Sequence, residues 1–345
     1  MYKGEVCQVT AESISIEQFT WNRSSRSVKH NYRLLLEDNS KEDEIWIPAF
    51  ELAGAEDGPN LLILAGVHGD EYEGIETILR LFSAMQPEDL KGNVLMIPCA
   101  NPYAYRGGTR VSPDDGVNLA RVFPGKQRGT VTEKLAYELH HRMIANADFM
   151  LDLHSGGTHY AVASLVGYYH EEESAFSRRC REAAEAFGSS LLWAHNEIAP
   201  GRSVSSAQSL GIPWLYTEAY GGRRVRQEDA RMFYDGTIRL MNHLEMLVDP
   251  LEWPVSKPVI EPKTIYSDGN FDHSATAEED GFFVPAISLE SEVRQGDLIG
   301  TIYGLDGSER QRILAGSDGF LVMILGTPVL RKGDPVYLLA SEMSG

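Results

Sequence analysis

The sequence predicts an α/β fold with a mixed central sheet, followed by a smaller all-β region. Up to about residue 248, short apolar segments alternate with segments of helical periodicity, which is the pattern of buried strands covered by helices. Beyond the prolines at positions 250, 254, 258 and 262, the chain has only short strand-like segments with Gly-Asp turns. We therefore expect two domains, residues 1–255 and residues 256–345.

The elements of the first region follow from periodicity and from end signals. Residues 45–47 alternate like a strand, residues 58–60 carry a turn signal, and residues 61–65 are a continuous apolar run typical of a strand buried on both faces. The period becomes helical over residues 70–85, with acidic residues in the first turn. By the same criteria we predict strands at 94–99, 149–153 and 214–217. We also predict three helices: one begins at the capping box 130–133, one carries the apolar stripe 176–187, and one spans 229–248.

The second region contains an internal repeat. Residues 280–284 (DGFFV) recur as 318–322 (DGFLV), and residues 294–297 (RQGD) recur as 331–334 (RKGD). Two similar halves predict a small β-sandwich or barrel with pseudo-two-fold symmetry. The repeat resembles the hammerhead of biotinyl and lipoyl domains, but a carrier domain needs an exposed Lys between its halves, and residues 301–312 contain none.

Net charge limits the classes of binding partner, and cysteine content indicates the cellular compartment. A net charge of −19, from 50 acidic and 31 basic residues, repels phosphate backbones and anionic lipid, so we expect neither nucleic acid nor a membrane as partner. Cys7, Cys99 and Cys180 are too few and too far apart for a disulfide framework, and residues 1–10 lack the features of a signal peptide. These observations favour a cytoplasmic protein.

A candidate metal site begins in residues 66–71 (GVHGDE). This segment follows the first buried strand, and open α/β sheets hold their ligand sites at the carboxyl ends of strands. His68 and Glu71 could face one metal ion from this turn. The same His-x-x-Glu spacing occurs at His170 and Glu173, where the flanks indicate a solvated helix start. The buried strand and the glycines around His68 therefore distinguish the first copy.

A third candidate ligand, His154, lies at the end of the strand predicted at residues 149–153. Asp152 is two residues earlier and therefore on the same face of the strand, where it would orient the imidazole. His68, Glu71 and His154 make a three-ligand zinc set with an open fourth position, the arrangement of a catalytic site. From the residues alone, the same side chains are equally consistent with polar groups that hydrogen-bond at turns and strand ends.

Five motifs occur in an order that resembles a known enzyme family. They are residues 66–71, residues 101–104 (NPYA) with Arg110 behind them, residues 115–125, residues 152–154 (DLH) and residues 217–222 (TEAYGG). The arrangement is similar to the succinylglutamate desuccinylase/aspartoacylase family of the zinc carboxypeptidase superfamily. The resemblance implies a three-layer α/β/α, zinc-carboxypeptidase-like domain with a mixed sheet, one zinc ion per chain and a C-terminal β-domain.

The resemblance also implies an activity, the hydrolysis of the amide bond in a small N-acylated amino acid or amine by a zinc-activated water. It gives each matching residue a role: zinc ligand for His68, Glu71 and His154, general base for Glu218, polarisation of the scissile carbonyl for Arg110, and binding of a substrate carboxylate for Arg121.

The sequence departs from the family in the substrate-binding motif. Where the family has Asp-x-Asn-Arg, this chain has Asn118 and Leu119 followed by Ala120 and Arg121. Asn118 and Arg121 are the candidate substrate-binding residues, but Ala120 replaces the Asn that helps to bind the substrate's carboxylate. The departure argues against an aspartoacylase- or succinylglutamate-type substrate.

Two alternatives share the metal site. A zinc carboxypeptidase acting on peptides would use the same chemistry, although a small domain packed over the site would exclude long substrates. A non-catalytic zinc-binding protein would not need Glu218 and Arg110, and their retention argues against it. The β-domain is also a candidate for mediating a homo-oligomer.

Overall fold

The computed structural model describes residues 10–21, 24–36 and 44–342, and these residues form two β-sheets with helices on both faces of the larger one. Cys7 and the residues before Thr10 lie outside the described residues. The strands of the first region are β1 Glu12–Ser15, β2 Val28–Leu36, β3 Ile45–Ala53, β4 Glu56–Ala65, β5 Lys91–Ile97, β6 Phe149–Leu153, β7 Tyr160–Val162, β8 Leu165–Tyr169, β9 Leu191–His195 and β10 Trp214–Glu218. The helices are α1 Glu73–Ala84, α2 Pro102–Gly107, α3 Val131–Glu138, α4 Ala175–Phe187, α5 Ser203–Ser209 and α6 Gln227–His243.

The large sheet is mixed, as the sequence predicts. In the first region its strand order is β1-β2-β3-β5-β4-β6-β10-β8-β9. Strand β4 pairs in parallel with β5 and β6, and β6 pairs in parallel with β10, whereas β3 and β8 run antiparallel to their neighbours β5 and β10. The carboxyl ends of β4, β6 and β10 therefore lie side by side at one edge of the sheet.

Helices cover both faces of this sheet, which gives the predicted three layers. Leu61 and Ile63 of β4 belong to a core shared with α1, α4 and α6, and Leu62 and Leu64 belong to a second core shared with α2, α3 and α5. All four side chains are fully buried, which is why this strand is continuously apolar. No helix in the described part of the chain is long and apolar enough to cross a membrane.

The C-terminal region is β-rich, as predicted, and it extends the large sheet. Its strands are β11 Lys263–Tyr266, β12 Ala275–Thr276, β13 Gly281–Pro285, β14 Glu292–Val293, β15 Leu298–Tyr303, β16 Glu309–Leu314, β17 Gly319–Leu325, β18 Val329–Leu330 and β19 Pro335–Glu342. Strand β11 pairs in parallel with β9 and antiparallel with β19, and β17 and β14 follow, while β16-β15-β13-β18 form the second sheet. The large sheet thus continues from one region into the other, and the boundary between residues 255 and 256 stays a prediction.

The sequence repeat corresponds to matching hydrogen bonds in the two halves of this region. In both copies the N–H of the turn arginine donates to the turn aspartate, and the next N–H donates to an aspartate of the other copy. These bonds are Arg294 N to Asp297 Oδ2 at 2.8 Å, Gln295 N to Asp318 Oδ1 at 2.8 Å, Arg331 N to Asp334 Oδ2 at 2.7 Å and Lys332 N to Asp280 Oδ1 at 2.7 Å. Each half therefore closes the turn of the other, which explains why the aspartates recur.

Two local predictions are wrong, and both for backbone reasons. Residues 58–60 belong to β4 instead of a turn, because Gly58 lets the strand approach Gly92: a Cβ on Gly58 would lie 2.7 Å from the Gly92 nitrogen. Helix α6 ends at His243 and does not reach residue 248. Glu245 adopts a positive φ of 58° just beyond this end, so the helix stops without the glycine that usually marks such a position.

Candidate metal centre and active site

The turn between β4 and α1 places His68 and Glu71 at the carboxyl end of a buried strand. Both side chains are buried. Gly69 fits between them because a Cβ there would lie 2.0 Å from the carbonyl carbon of Ala104, and its N–H donates to the Thr109 carbonyl over 3.0 Å. The glycine therefore lets this turn pack directly against α2.

Three side chains converge at this edge of the sheet. His68, Glu71 and His154 each offer a nitrogen or oxygen atom, and these atoms lie within 4.8 Å of one another. Glu71 uses both carboxylate oxygens: Oε1 lies 3.1 Å from Arg110 Nη1, and Oε2 lies 3.0 Å from His154 Nδ1 and accepts the Ser155 N–H over 3.1 Å. The structure thus brings together the three side chains that the sequence predicts as ligands, with Arg110 beside them.

Hydrogen bonds fix the orientation of both imidazoles. His68 Nδ1 lies 3.1 Å from the Arg110 carbonyl oxygen, which can only accept, so Nδ1 carries the proton and Nε2 keeps its lone pair. His154 Nε2 lies 3.1 Å from Asp152 Oδ2, and Ser203 donates to the same carboxylate. The predicted contact between Asp152 and His154 is therefore present, and it is the kind of contact that orients imidazoles bound to metals.

The cluster has the electrostatics of a site that holds a cation. Burial lowers the pKa of His154, but the carboxylates of Asp152 and Glu71 outweigh it and raise that pKa well above its ordinary value. Burial, helped by the charges of Arg110 and His154, holds the pKa of His68 well below its ordinary value. A proton on His154 thus takes the place of a cation between two buried carboxylates, and two imidazoles with one carboxylate are a donor set that fits Zn²⁺.

Glu218 lies at the carboxyl end of β10, next to the end of β6 that leads to His154. Its side chain is only 7% exposed, and its Oε2 has no hydrogen-bond partner among the described residues. Burial, followed by the charge of Glu71, raises the pKa of Glu218 to about 8. A divalent cation at the neighbouring cluster would lower this pKa, because an opposite charge stabilises the carboxylate. Glu218 is therefore suited to exchange a proton near neutral pH.

Removing the carboxylate that orients His154 should weaken metal binding. We expect Asp152→Asn to lower zinc affinity about 10- to 100-fold, the usual effect of losing such a partner, while the protein stays folded. Competition with a chromophoric chelator measures this. Ser203→Ala, which removes only the hydroxyl that donates to Asp152, should have a smaller effect. Equal zinc affinity in Asp152→Asn and the parent would show that Asp152 does not support the site.

The two predicted substrate-binding residues are placed differently. Arg121 lines the cleft above the cluster, and its guanidinium makes a two-point contact with Asp272, at 3.2 Å from Nε and 3.1 Å from Nη2. Among the described residues, Asn118 is not part of the cleft lining. Its Oδ1 accepts the Ala120 N–H over 3.0 Å and so caps the short turn that carries Arg121. A direct role for Asn118 in binding substrate stays a prediction.

Several cleft residues were missed by the sequence analysis. His195 ends β9, Tyr216 lies in the middle of β10, and Arg202 precedes α5, while Asp268, Gly269 and Phe271 contribute from the loop that follows β11. The strand-end rule that identified His154 does not identify His195, because β8 and β9 run antiparallel to β10 and the carboxyl end of β9 lies opposite those of β4, β6 and β10. No local signal identifies the loop, because it reaches the cleft only after β11 has joined the sheet beside β9.

Comparison with known proteins is consistent with this geometry. Residues 57–244, more than half of the chain, match the model of the succinylglutamate desuccinylase/aspartoacylase catalytic domain. The N-alpha-acetyl-L-2,4-diaminobutyric acid deacetylase of Halomonas elongata is 29% identical over 306 residues, which cover 88% of each chain.

Solved structures agree along nearly the whole chain. The succinylglutamate desuccinylase/aspartoacylase of Rhodobacter sphaeroides superimposes with a TM-score of 0.80 at 28% identity, over 91% of this chain and 96% of that one. The product-bound ectoine utilization protein EutE (DoeB) of Ruegeria pomeroyi superimposes with a TM-score of 0.82 at 26% identity, over 93% and 97%. The similarity therefore includes the C-terminal β-region.

Proposed function

The chain belongs to the succinylglutamate desuccinylase/aspartoacylase family, and we propose that it is a zinc-dependent deacylase that hydrolyses the amide bond of a small N-acyl amino acid. The proposal rests on one observation: the three candidate ligands cluster beside a buried carboxylate and an arginine. The ligands are His68, Glu71 and His154, the carboxylate is Glu218 and the arginine is Arg110. The Halomonas elongata and Rhodobacter sphaeroides relatives carry the names of deacylases, which supports hydrolysis of N-acyl amino acids as the general activity.

The residues around the cluster suit the steps of amide hydrolysis. A zinc ion held by His68, Glu71 and His154 would lower the pKa of a bound water towards about 7. Glu218 would take the proton that the water loses as its oxygen attacks the acyl carbon, and would return it to the nitrogen as the C–N bond breaks. Arg110 would donate hydrogen bonds to the acyl oxygen as negative charge develops, an effect typically worth about 10²–10³ in rate. The products are a carboxylate and a free amine.

The cleft also suits a substrate that carries a carboxylate. Burial, followed by the charge of Arg121, lowers the pKa of Arg202, so two arginines face the same space. In the described part of the chain, Asp272 contacts Arg121, but no carboxylate lies within 4 Å of Arg202. The charge of Arg202 is therefore available to bind a substrate carboxylate. It would take over the role of the family's Asn, which is Ala120 in this chain.

The acyl and amino groups follow from the relatives. The Halomonas elongata relative deacetylates N-alpha-acetyl-L-2,4-diaminobutyric acid, so an N-acetylated diamino acid is the first candidate substrate.

The loop at residues 267–274 favours small substrates over peptides. It is held at the cleft by Asp272 on Arg121 and by Asn270, whose Oδ1 accepts from Arg202 over 2.8 Å. A peptide that extends beyond the scissile bond would have to displace it. We therefore favour a deacylase over a carboxypeptidase. The carboxylate oxygen of Glu218 that has no hydrogen-bond partner among the described residues favours an enzyme over a passive zinc binder.

A substrate panel on zinc-quantified protein tests the proposal. We expect about one zinc per chain and the release of free amine from at least one N-acetyl amino acid, with activity lost on chelation and restored by zinc. N-succinyl amino acids and short peptides with a free C-terminus complete the panel. Turnover of peptides alone would favour the carboxypeptidase alternative, and a chain that binds no zinc in any form would overturn the proposal.

A further inference from the structure

A chain of hydrogen bonds beside the metal cluster fixes the polarity of one wall of the cleft. His195 is fully buried; its Nδ1 lies 2.9 Å from the Ser267 carbonyl oxygen and its Nε2 lies 2.7 Å from the Tyr216 hydroxyl. A carbonyl can only accept, so the proton of the neutral imidazole sits on Nδ1. Nε2 must then accept a hydrogen bond, and the Tyr216 hydroxyl uses its only proton to donate that bond. The free lone pair of the Tyr216 oxygen is therefore an acceptor.

The neutral state of His195 agrees with its surroundings. Burial lowers the pKa of His195 to about 4, so the ring carries one proton at neutral pH. Burial also raises the pKa of Tyr216 well above its ordinary value, so its hydroxyl keeps the proton that it donates to His195.

A carboxylate lies on the same wall. Asp268 lines the cleft with Tyr216 and His195, and it follows Ser267, whose carbonyl anchors the imidazole. Its oxygens contact the Asn270 N–H at 3.0 Å and His273 Nδ1 at 2.6 Å. Among the described residues, no Lys or Arg lies within 4 Å of Asp268. Unlike Asp272, which contacts Arg121, Asp268 makes no direct ion pair with an arginine in the described part of the chain, although its charge acts on Arg202 across the cleft and, against the larger effect of burial, raises the pKa of that guanidinium.

We propose that Tyr216 and Asp268 form a subsite for a cationic group on the substrate's side chain, and that they select N-acyl diamino acids among N-acyl amino acids. An ammonium has three donors and no acceptor, so it complements a wall that offers a fixed acceptor and a carboxylate. An acidic side chain would meet both groups with the wrong polarity. The inference rests on the proposed deacylase function, with Arg121 and Arg202 left for the substrate's carboxylate.

A matched pair of substrates tests the subsite. N-α-acetyl-2,4-diaminobutyrate and N-acetyl-2-aminobutyrate share a carbon skeleton and differ in the side-chain amine. We expect wild-type protein to prefer the first in kcat/KM by at least about 10-fold, since a hydrogen bond to a charged group typically changes affinity by about that factor or more. Asp268→Asn and Tyr216→Phe should lower kcat/KM about 10- to 100-fold for the diamino substrate and leave the neutral one nearly unchanged.

Binding of the products gives a second readout that needs no turnover. Calorimetry on zinc-loaded protein should show tighter binding of 2,4-diaminobutyrate than of 2-aminobutyrate, with the difference reduced in Asp268→Asn. Glu261→Gln removes a negative charge from an exposed residue outside the cleft and should preserve the preference. Preferential binding without turnover would keep the subsite and reject the deacylase. Turnover with no preference, or equal losses on both substrates, would overturn the subsite alone.

Discussion

Glu218→Gln is expected to lower kcat by about 10²–10⁴, the usual contribution of a positioned general base, without loss of zinc. Glutamine keeps the shape of the side chain and loses the site that takes up a proton. Glu218 is not one of the three clustered ligands, so metal content should stay near one per chain. Steady-state kinetics together with metal analysis of the same preparation would measure both quantities.

The matched control is Glu182→Gln, which makes the same change on the exposed face of α4 and should leave kcat unaltered. The substitution at Glu218 also removes an ionisable group from a buried site where burial, followed by the charge of Glu71, raises the carboxyl pKa to about 8. The variant should therefore fold at least as well as the parent in thermal denaturation. Unchanged kcat in a zinc-loaded Glu218→Gln protein would contradict its role as the base.

The sequence predicts that the candidate metal ligands lie close together because their placement follows a rule of sheet topology. His68 and His154 were expected at the carboxyl ends of apolar strands, and Glu218, which the family resemblance singled out, directly follows the strand predicted at 214–217. The parallel pairing of β4, β6 and β10 places those three ends side by side. The Asp152–His154 contact follows in the same way from the two-residue period of a strand. Side-chain placement that depends on local periodicity and strand direction can therefore be predicted from one sequence.

The wall of the cleft could not be predicted, because it depends on contacts between distant parts of the chain. Asp272 reaches Arg121 across 151 residues, and Ser267 anchors His195 across 72. Both contacts exist because β11 joins the sheet in parallel beside β9, a pairing that the Pro-rich stretch before it does not indicate. The motif at Arg121 indicated that this arginine binds the substrate. It gave no sign that Asp272 of the same chain contacts the Arg121 guanidinium.

This arrangement explains how a departure from the family motif can be accommodated. Ala120 removes an amide from the cleft, and Arg202 supplies a cation that faces the same space. The loop then adds acidic groups, so the cleft offers both signs of charge in a chain whose net charge is −19. A substrate with one carboxylate and one ammonium fits this pattern better than a dicarboxylate does.

Replacing a ligand should have the largest effect of all, on both metal content and activity. Glu71→Gln is expected to lower zinc affinity more than the roughly 10- to 100-fold typical of losing an orienting partner, and to reduce deacylase activity to background at limiting zinc. Glu71 contacts Arg110, His154 and the Ser155 N–H at once. Glutamine can still accept the Ser155 N–H, but it lacks the negative charge of the carboxylate ligand. Its single carbonyl oxygen also cannot replace both carboxylate oxygens in the contacts with His154 and Arg110.

The second His-x-x-Glu copy provides the control for this variant. Glu173 is exposed and precedes α4, so Glu173→Gln makes the same change at the same spacing without touching the cluster. It should bind zinc and turn over substrate like the parent. Zinc titration of both variants separates the two copies. If Glu71→Gln kept full zinc affinity while Glu173→Gln lost it, the ligand assignment would be wrong. Equal affinity in both would place the zinc on other residues.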